Sequence, residues 1–594
     1  MAELVDALVS KTNGVIPVPV RSRPWVQKLS EFRKLFLYLY ISNLKNLIKT
    51  MSKIKIYLPI AFALILAVGI YLGYNMKTGQ TSSDKIFRFG GGSAGKVTQV
   101  LNFIKGDYVD TVNINKLENN AIESVLKDLD PHSQFIPAKE FNKVNDPLRG
   151  NFEGIGVQFR IEKDTVMIIR AISGGPSEKV GIRGGDRIVT IEGDTVAGVG
   201  ITNEEIIDQL KGKKGTKVKV GIHRNGLDDL VHYTITRDVI PTHSVDISFM
   251  PTDSIGYIKL SQFSATSYKE VKQALDELIE KGMHKLILDL RSNAGGYLQS
   301  AIKLADEFLT DGKLIVYTEG RNRPKQHAYA TSKGSFKEQE LAILIDEGSA
   351  SASEILAGAI QDNDRGLIVG RRSFGKGLVQ EQIQLNDGSA VRLTVARYHT
   401  PTGRSIQRPY EENREEYYHD IYERYQNGEL ESADSVKFAD SLKYKTPKGR
   451  VVYGGGGIMP DIFVSIKQQE SNEFIGNLFQ KGVFYRFAFE YADQNRQALR
   501  EYDSAQAYIE NFTINSSLMK NFLEKAKKEG VPKDKELYPE SVPEIKTLLK
   551  ALIGRNIFDN EGFYPVYLKT DAIFQEALKT LKEEDEIVSQ LSAR

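Results

Sequence analysis

The chain has 594 residues, enough for several domains, and its 79 lysines and arginines against 77 aspartates and glutamates leave a formal net charge of +2. That balance carries no basic excess of the kind that marks nucleic-acid binding, and none is expected. There is no cysteine, which excludes disulfides, thiolate metal sites and a cysteine nucleophile. Residues 1–50 are broken by prolines, as in "NGVIPVPVRSRPW", and Met51 looks like a natural start. They read as an upstream extension without a folded role. Ile56 to Met76 is a 21-residue apolar run interrupted by Pro59 and Asn75. At about 1.5 Å per residue it is long enough for a hydrocarbon core of about 30 Å. Lysines precede it, so 51–77 is expected to be an uncleaved single-pass anchor in the cytoplasmic membrane, with the remainder periplasmic or otherwise extracytoplasmic. A cleaved signal peptide is the rival reading. Residues 78–96 read as a linker. Val97, Val100, Leu101 and Ile104, then Leu117, Ile122, Val125 and Leu126, have helical spacing and predict a helical region over 97–147, with "LDPHSQFIP" at 129–137.

Residues 148–238 form a separate module. "GIGVQFRIEKDTVMIIRAI" alternates around Lys163-Asp164, the pattern of a hairpin, and "GGDRIVTIEG" (184–193) adds a glycine turn before another strand. The module resembles a PDZ domain. Gly154, Ile155, Gly156 and Val157 stand where that family has its carboxylate-binding loop. Glycines there let successive backbone amides turn inward as an anion nest, and the next strand edge can accept a peptide strand. Substrate C-termini are expected to bind these four residues.

From 239 to 466 strand-like runs alternate with helical ones: "IGYIKL", "SYKEVKQALDELIEKG", "KLILDL", "LAILIDEGSAS" and the helix from Glu354. That is an α/β pattern. Residues 410–449 are polar and tyrosine-rich and read as an insertion, and 467–594 as a C-terminal helical region. The fold class is therefore α/β and multidomain.

Within the α/β part, "GSASASEI" precedes a helix and "SFGKGLVQ" follows 25 residues on. A serine hydroxyl needs a base to become a nucleophile. None of the eight histidines stands in a motif suited to that role. A lysine can serve when neutral, which means lowering it from about 10.4 to near 7, worth about 4 kcal/mol. Burial supplies such a shift. Were 376–382 a strand, Lys376 and Gln380 would share a face, and the amide would hold the lysine without adding charge.

"GSASASEI", "SFGKGLVQ", "LDLRSNAGG" (288–296), "LTVARYHTPTGRSIQ" (393–407) and "GGGGIMPDI" (454–462), with "LDPHS" and the PDZ-like module, resemble the carboxy-terminal processing peptidases, or tail-specific serine proteases. The resemblance spans roughly 97–466. It implies a crotonase/Clp-peptidase-like α/β core, Ser351 as nucleophile, Lys376 as general base and Gln380 as the residue that positions the lysine. It is the resemblance that chooses Ser351 over Ser349 and Ser353. Ala352, at a helix N-terminus, and Gly295 or Gly296 are the expected oxyanion donors. Asp289, Arg291 and Asn293 are expected to shape a turn, His132 to be a turn residue, and Glu354 a first-turn helix acid. Neither a cofactor nor a metal is expected. Partners are protein or peptide substrates with apolar C-termini, and the membrane through 56–76. Spare helices at both ends point to homo-oligomers, and delivery of substrates by an adaptor protein stays open. The alternative is a PDZ-type scaffold or chaperone without proteolysis.

Overall fold

The computed structural model describes residues 62–71, 95–410, 414–469 and 472–592. The chain divides into two compact units, 1–100 and 101–594. In the first, residues 62–71 are helical and exposed. They are the described part of the expected anchor. Among the described residues no helix is long and apolar enough to cross a membrane. The expectation of a single-pass protein of the cytoplasmic membrane is corrected on that finding. Residues 1–50, the flanks of the apolar run and 78–94 lie outside the described residues.

In the second unit, helices Ile114–Lys127 and Phe141–Arg149 flank a short strand, Gln134–Ile136. The next module is a sheet with spatial order Val157–Glu162, Thr165–Ala171, Arg187–Ile191, Lys217–His223 and Val231–Thr236. Lys163 and Asp164 join its first two strands with φ of 49° and 56°, the sense of turn that matches the strands' own twist. Val166, Ile168, Ile188 and Val218 fill its core together with Ile206 and Leu210 from helix Asn203–Leu210. Val157–Glu162 is an edge strand, paired only with Thr165–Ala171 among the described residues.

A six-stranded sheet organises the α/β part. Its spatial order is Val245–Phe249, Ile255–Leu260, Lys285–Asp289, Glu340–Ile345, Leu367–Gly370 and Ile462–Phe463, with all but the first pair parallel. Parallel strands covered on both faces read as continuous apolar runs, and every residue of Lys285–Asp289 is buried. On one face sit helices Ser267–Glu280, Leu298–Phe308 and Ala352–Asp362, which contribute Leu275, Leu304 and Leu356. On the other, Phe574, Ala577 and Leu581 of helix Ala572–Ser592 pack against Tyr257, Ile287 and Leu344. A second sheet aligns Leu378–Gln384 with Ala390–His399, whose far end pairs with Gln134–Ile136.

The remaining C-terminal helices build a core of their own around Phe484, Phe522, Ile545 and Leu549. They also hold the edge-strand module. Arg170 pairs with Asp559 at 2.5 Å, and the Arg160 guanidinium lies 3.9 Å from the Phe489 ring centre.

Candidate active site

Strand Glu340–Ile345 leads through a tight loop to Ser351, and helix Ala352–Asp362 begins at the next residue. Ser351 has φ 55° and ψ −110°, a conformation that costs a non-glycine residue about 1–3 kcal/mol. Buried Glu354 holds it there. One Glu354 oxygen accepts from the Ser351 amide at 2.8 Å and the Lys376 amide at 2.9 Å. The other accepts from Ser373 Oγ at 2.6 Å and the Gly375 amide at 2.7 Å. Burial pushes the Glu354 carboxyl up, against these four donors. The expected first-turn acid therefore ties the serine loop to the lysine loop.

Three serines alternate here, and their hydroxyls differ. Ser349 Oγ donates to Leu290 O at 2.9 Å and Ser353 Oγ to Asn293 O at 2.8 Å, both fully buried. Ser351 is half-buried, and of the three it alone lines a cleft of about 740 Å³.

Lys376 lines the same cleft. Its Nζ donates to Gln380 Oε1 at 3.1 Å, and Gln380 Nε2 donates to His132 O at 2.6 Å. The second bond turns the amide oxygen toward the lysine. Strand alternation is not what brings the two together. The strand starts at Leu378, and its register shifts between Val379 and Gln380, so a bulge re-aims the glutamine. Lys376 makes no ion pair among the described residues. Burial, and then the Arg392 guanidinium, lower its ammonium from an ordinary 10.5 to about 8, against the attraction of Glu354 and Asp130.

The loop Asn293–Gly296 lies against the serine. Gly295 has φ 98°, and a Cβ there would stand 2.8 Å from Ser351 Cβ and 2.9 Å from Ala352 N. The Gly295 amide, one of the expected oxyanion donors, already donates to Asn293 Oδ1 at 2.9 Å. Gly296 and Ala352 keep their amides free of protein acceptors among the described residues.

Several residues that support this site carry no signal in the sequence, or only that of turn formers. Asp130 gathers the amides of His132 and Ser133, Ser133 Oγ and Thr394 Oγ1, which fixes the carbonyl that receives Gln380. Arg424, from the polar insertion, donates to Ser373 O at 2.8 Å and Phe374 O at 3.2 Å, just ahead of the lysine. Arg291 bridges Asp289 to Asp571 of the C-terminal region, with bonds of 2.7 and 2.8 Å to the latter. Burial alone would raise the Asp289 carboxyl, yet Arg291 and Lys259 hold it well below the usual range. The contacts from Asp130 to Thr394, Arg424 to Ser373 and Arg291 to Asp571 join residues dozens to hundreds of positions apart, and no periodicity carries them.

At the edge strand, the Ile155 and Gly156 amides donate to no protein acceptor among the described residues. The Ile155 carbonyl is engaged by Ser177 and the Gly156 carbonyl by Ile172. Val157 opens the free edge.

The model of Peptidase family S41 matches residues 254–412, and that of the PDZ domain residues 154–234. A carboxy-terminal-processing protease of Bartonella bacilliformis is 35% identical over 333 residues, covering 55% of this chain and 74% of that protein. The chain belongs to the carboxy-terminal processing proteases of peptidase family S41. A Synechocystis member of these proteases is 38% identical over 293 residues, 48% of this chain and 67% of its own. The solved structure of a photosystem II D1 C-terminal processing protease covers 61% of this chain and 85% of its own at 26% identity, with a TM-score of 0.33. Residues 474–559 match a family of unknown function. As a carboxy-terminal processing protease the chain is a serine-type peptidase with a PDZ domain, and the edge-strand module is that domain.

Proposed function

We propose that this carboxy-terminal processing protease works by a Ser351–Lys376 dyad and selects substrates by their C-termini. The observation that carries the reading is the lysine. Lys376 is withdrawn from water beside Ser351 in one cleft, and its partner is a neutral amide rather than a carboxylate. A carboxylate partner would hold the ammonium charged, whereas Gln380 orients the amine and leaves it free to lose its proton.

Neutral Lys376 takes the Ser351 proton as Oγ attacks the scissile carbonyl. The Ala352 and Gly296 amides receive the developing oxyanion, and Gly295, engaged by Asn293, is left out of that role. Lys376 then gives its proton to the departing amine. A water, deprotonated by the same lysine, cleaves the Ser351 ester and restores both groups. A peptide-binding scaffold without proteolysis has no comparable observation in its favour.

The test is to trap the ester. Acid quench of the enzyme turning over a peptide ester should leave the acyl mass on the proteolytic fragment that contains Ser351. An adduct on a different serine would refute the assignment.

The PDZ loop Gly154–Val157 is proposed to take the substrate's terminal carboxylate on its free amides, with the peptide adding to the edge strand. Charge-assisted hydrogen bonds contribute about 1.5–3 kcal/mol. Amidating a substrate's C-terminus should therefore raise its Kd about ten-fold or more. Equal binding of acid and amide, read by calorimetry, would leave the module as a spacer or gate.

A further inference from the structure

Resting on the dyad reading above, we propose that Arg392 makes this cleft select substrates that place a carboxylate beside the scissile bond. Arg392 lies on the strand Ala390–His399, half-buried, and lines the same cleft as Ser351 and Lys376. Its cross-strand neighbours are uncharged. Gln382 stands opposite on one side and its Oε1 accepts from Arg392 Nη2 at 3.1 Å, while Gln134 is opposite on the other. Tyr297 faces it across the cleft. Arg392 makes no ion pair among the described residues, and the lining of the cleft contains no aspartate or glutamate.

A guanidinium presents five donors, and Gln382 occupies one. Arginine keeps its charge at any pH where the enzyme works. Once Lys376 has given up its proton, Arg392 holds the only charge on the cleft lining. Partial withdrawal from water strengthens its pull on an anion, and a carboxylate fits the fork with two parallel bonds. The same cation also helps to keep Lys376 deprotonated. The carboxylate has two sources: an aspartate or glutamate side chain near the scissile bond, or the substrate's own C-terminus when the bond lies close to it.

Ratios measured within one enzyme separate these sources and cancel any effect of Arg392 on the lysine. Peptide pairs differing by Glu against Gln at each position around the scissile bond, and by free acid against amide, are compared by kcat/KM. In the wild type one Glu peptide, or the acid of a peptide cut near its end, should be preferred about ten-fold. Arg392→Gln should bring that ratio to near one, and Arg392→Lys should keep part of it. Loss of the Glu/Gln ratio assigns a side chain, and loss of the acid/amide ratio assigns the terminus. An acid/amide ratio that Arg392→Gln leaves intact belongs to the PDZ loop. No preference in the wild type, or Glu/Gln and acid/amide ratios that are both unchanged in Arg392→Gln, overturns the proposal. The dyad is judged separately by the Ser351 adduct, so either reading can fail while the other stands.

Discussion

Replacing Lys376 with methionine should abolish peptide cleavage and at the same time stabilise the fold. Removing one member of a nucleophile–base pair costs about 10⁴–10⁶-fold in kcat. The stability gain follows from the direction of the lysine's shift. Burial and Arg392 lower it from 10.5 to about 8, so between those values the unfolded chain binds a proton that the folded chain does not. Stability from this group therefore rises with pH across that window. Below about 8 the penalty is fully present, on the order of 3 kcal/mol, and above about 10.5 it vanishes. Methionine has nearly the same length and no charge, so it removes the penalty without opening a cavity. Urea unfolding at pH 7 should favour Lys376→Met, and the advantage should shrink by pH 10. Wild-type activity should climb through about pH 8, with about a tenth of the lysine neutral at pH 7. Activity flat from pH 6 to pH 10, or a methionine variant less stable than wild type at pH 7, would contradict this picture.

The coincidence of strain and catalysis explains what the sequence made readable. Leu286–Leu288 and Leu341–Ile345 are continuous apolar runs because both faces of their sheet are covered, and they lie in strands Lys285–Asp289 and Glu340–Ile345. The Lys163-Asp164 turn is visible because apolar and polar residues alternate on both sides of it, while the positive φ of both residues is seen only in the structure. Family resemblance selects Ser351, and the physical distinction lies in the hydrogen bonds, since Ser349 and Ser353 spend their hydroxyls on carbonyls. Strand alternation does not account for the pairing of Gln380 with Lys376, since the strand begins after the lysine and slips at Gln380. The pairing depends instead on His132, 248 residues away along the chain. Glu354 looked like an ordinary helix acid because its four donors come from a loop about twenty residues distant as well as from its own turn. Arg424 sat in a stretch read as an insertion, yet it holds the carbonyls of Ser373 and Phe374. Hydropathy alone suggests the anchor, and among the described residues no helix is long and apolar enough to cross a membrane.

Arg404→Met should destabilise the protein by about 3–5 kcal/mol. Arg404 stands in "TPTGRSI", and its side chain and that of Asp362 have 0% exposure. The guanidinium donates to Asp362 Oδ1 at 2.7 Å, Gln361 Oε1 at 2.8 Å and Tyr453 O at 2.7 Å. Asp362 also accepts from the Thr402 amide and hydroxyl. The pair thus clamps the far end of helix Ala352–Asp362 to the loop that carries Thr402 and Arg404 and to Tyr453, the residue before the glycine run at 454–457. Methionine leaves the Asp362 charge buried without its counter-ion, and that uncompensated charge is the main cost. If so, the double variant Arg404→Met with Asp362→Leu should recover much of the loss, because both desolvation penalties go together. Urea midpoints of the single and double variants measure the difference. The clamp acts on the fold and lies away from the proton transfer, so the folded fraction of Arg404→Met should keep the wild-type pH profile. A single variant as stable as wild type would mean that the three hydrogen bonds only balance the cost of burying the charge.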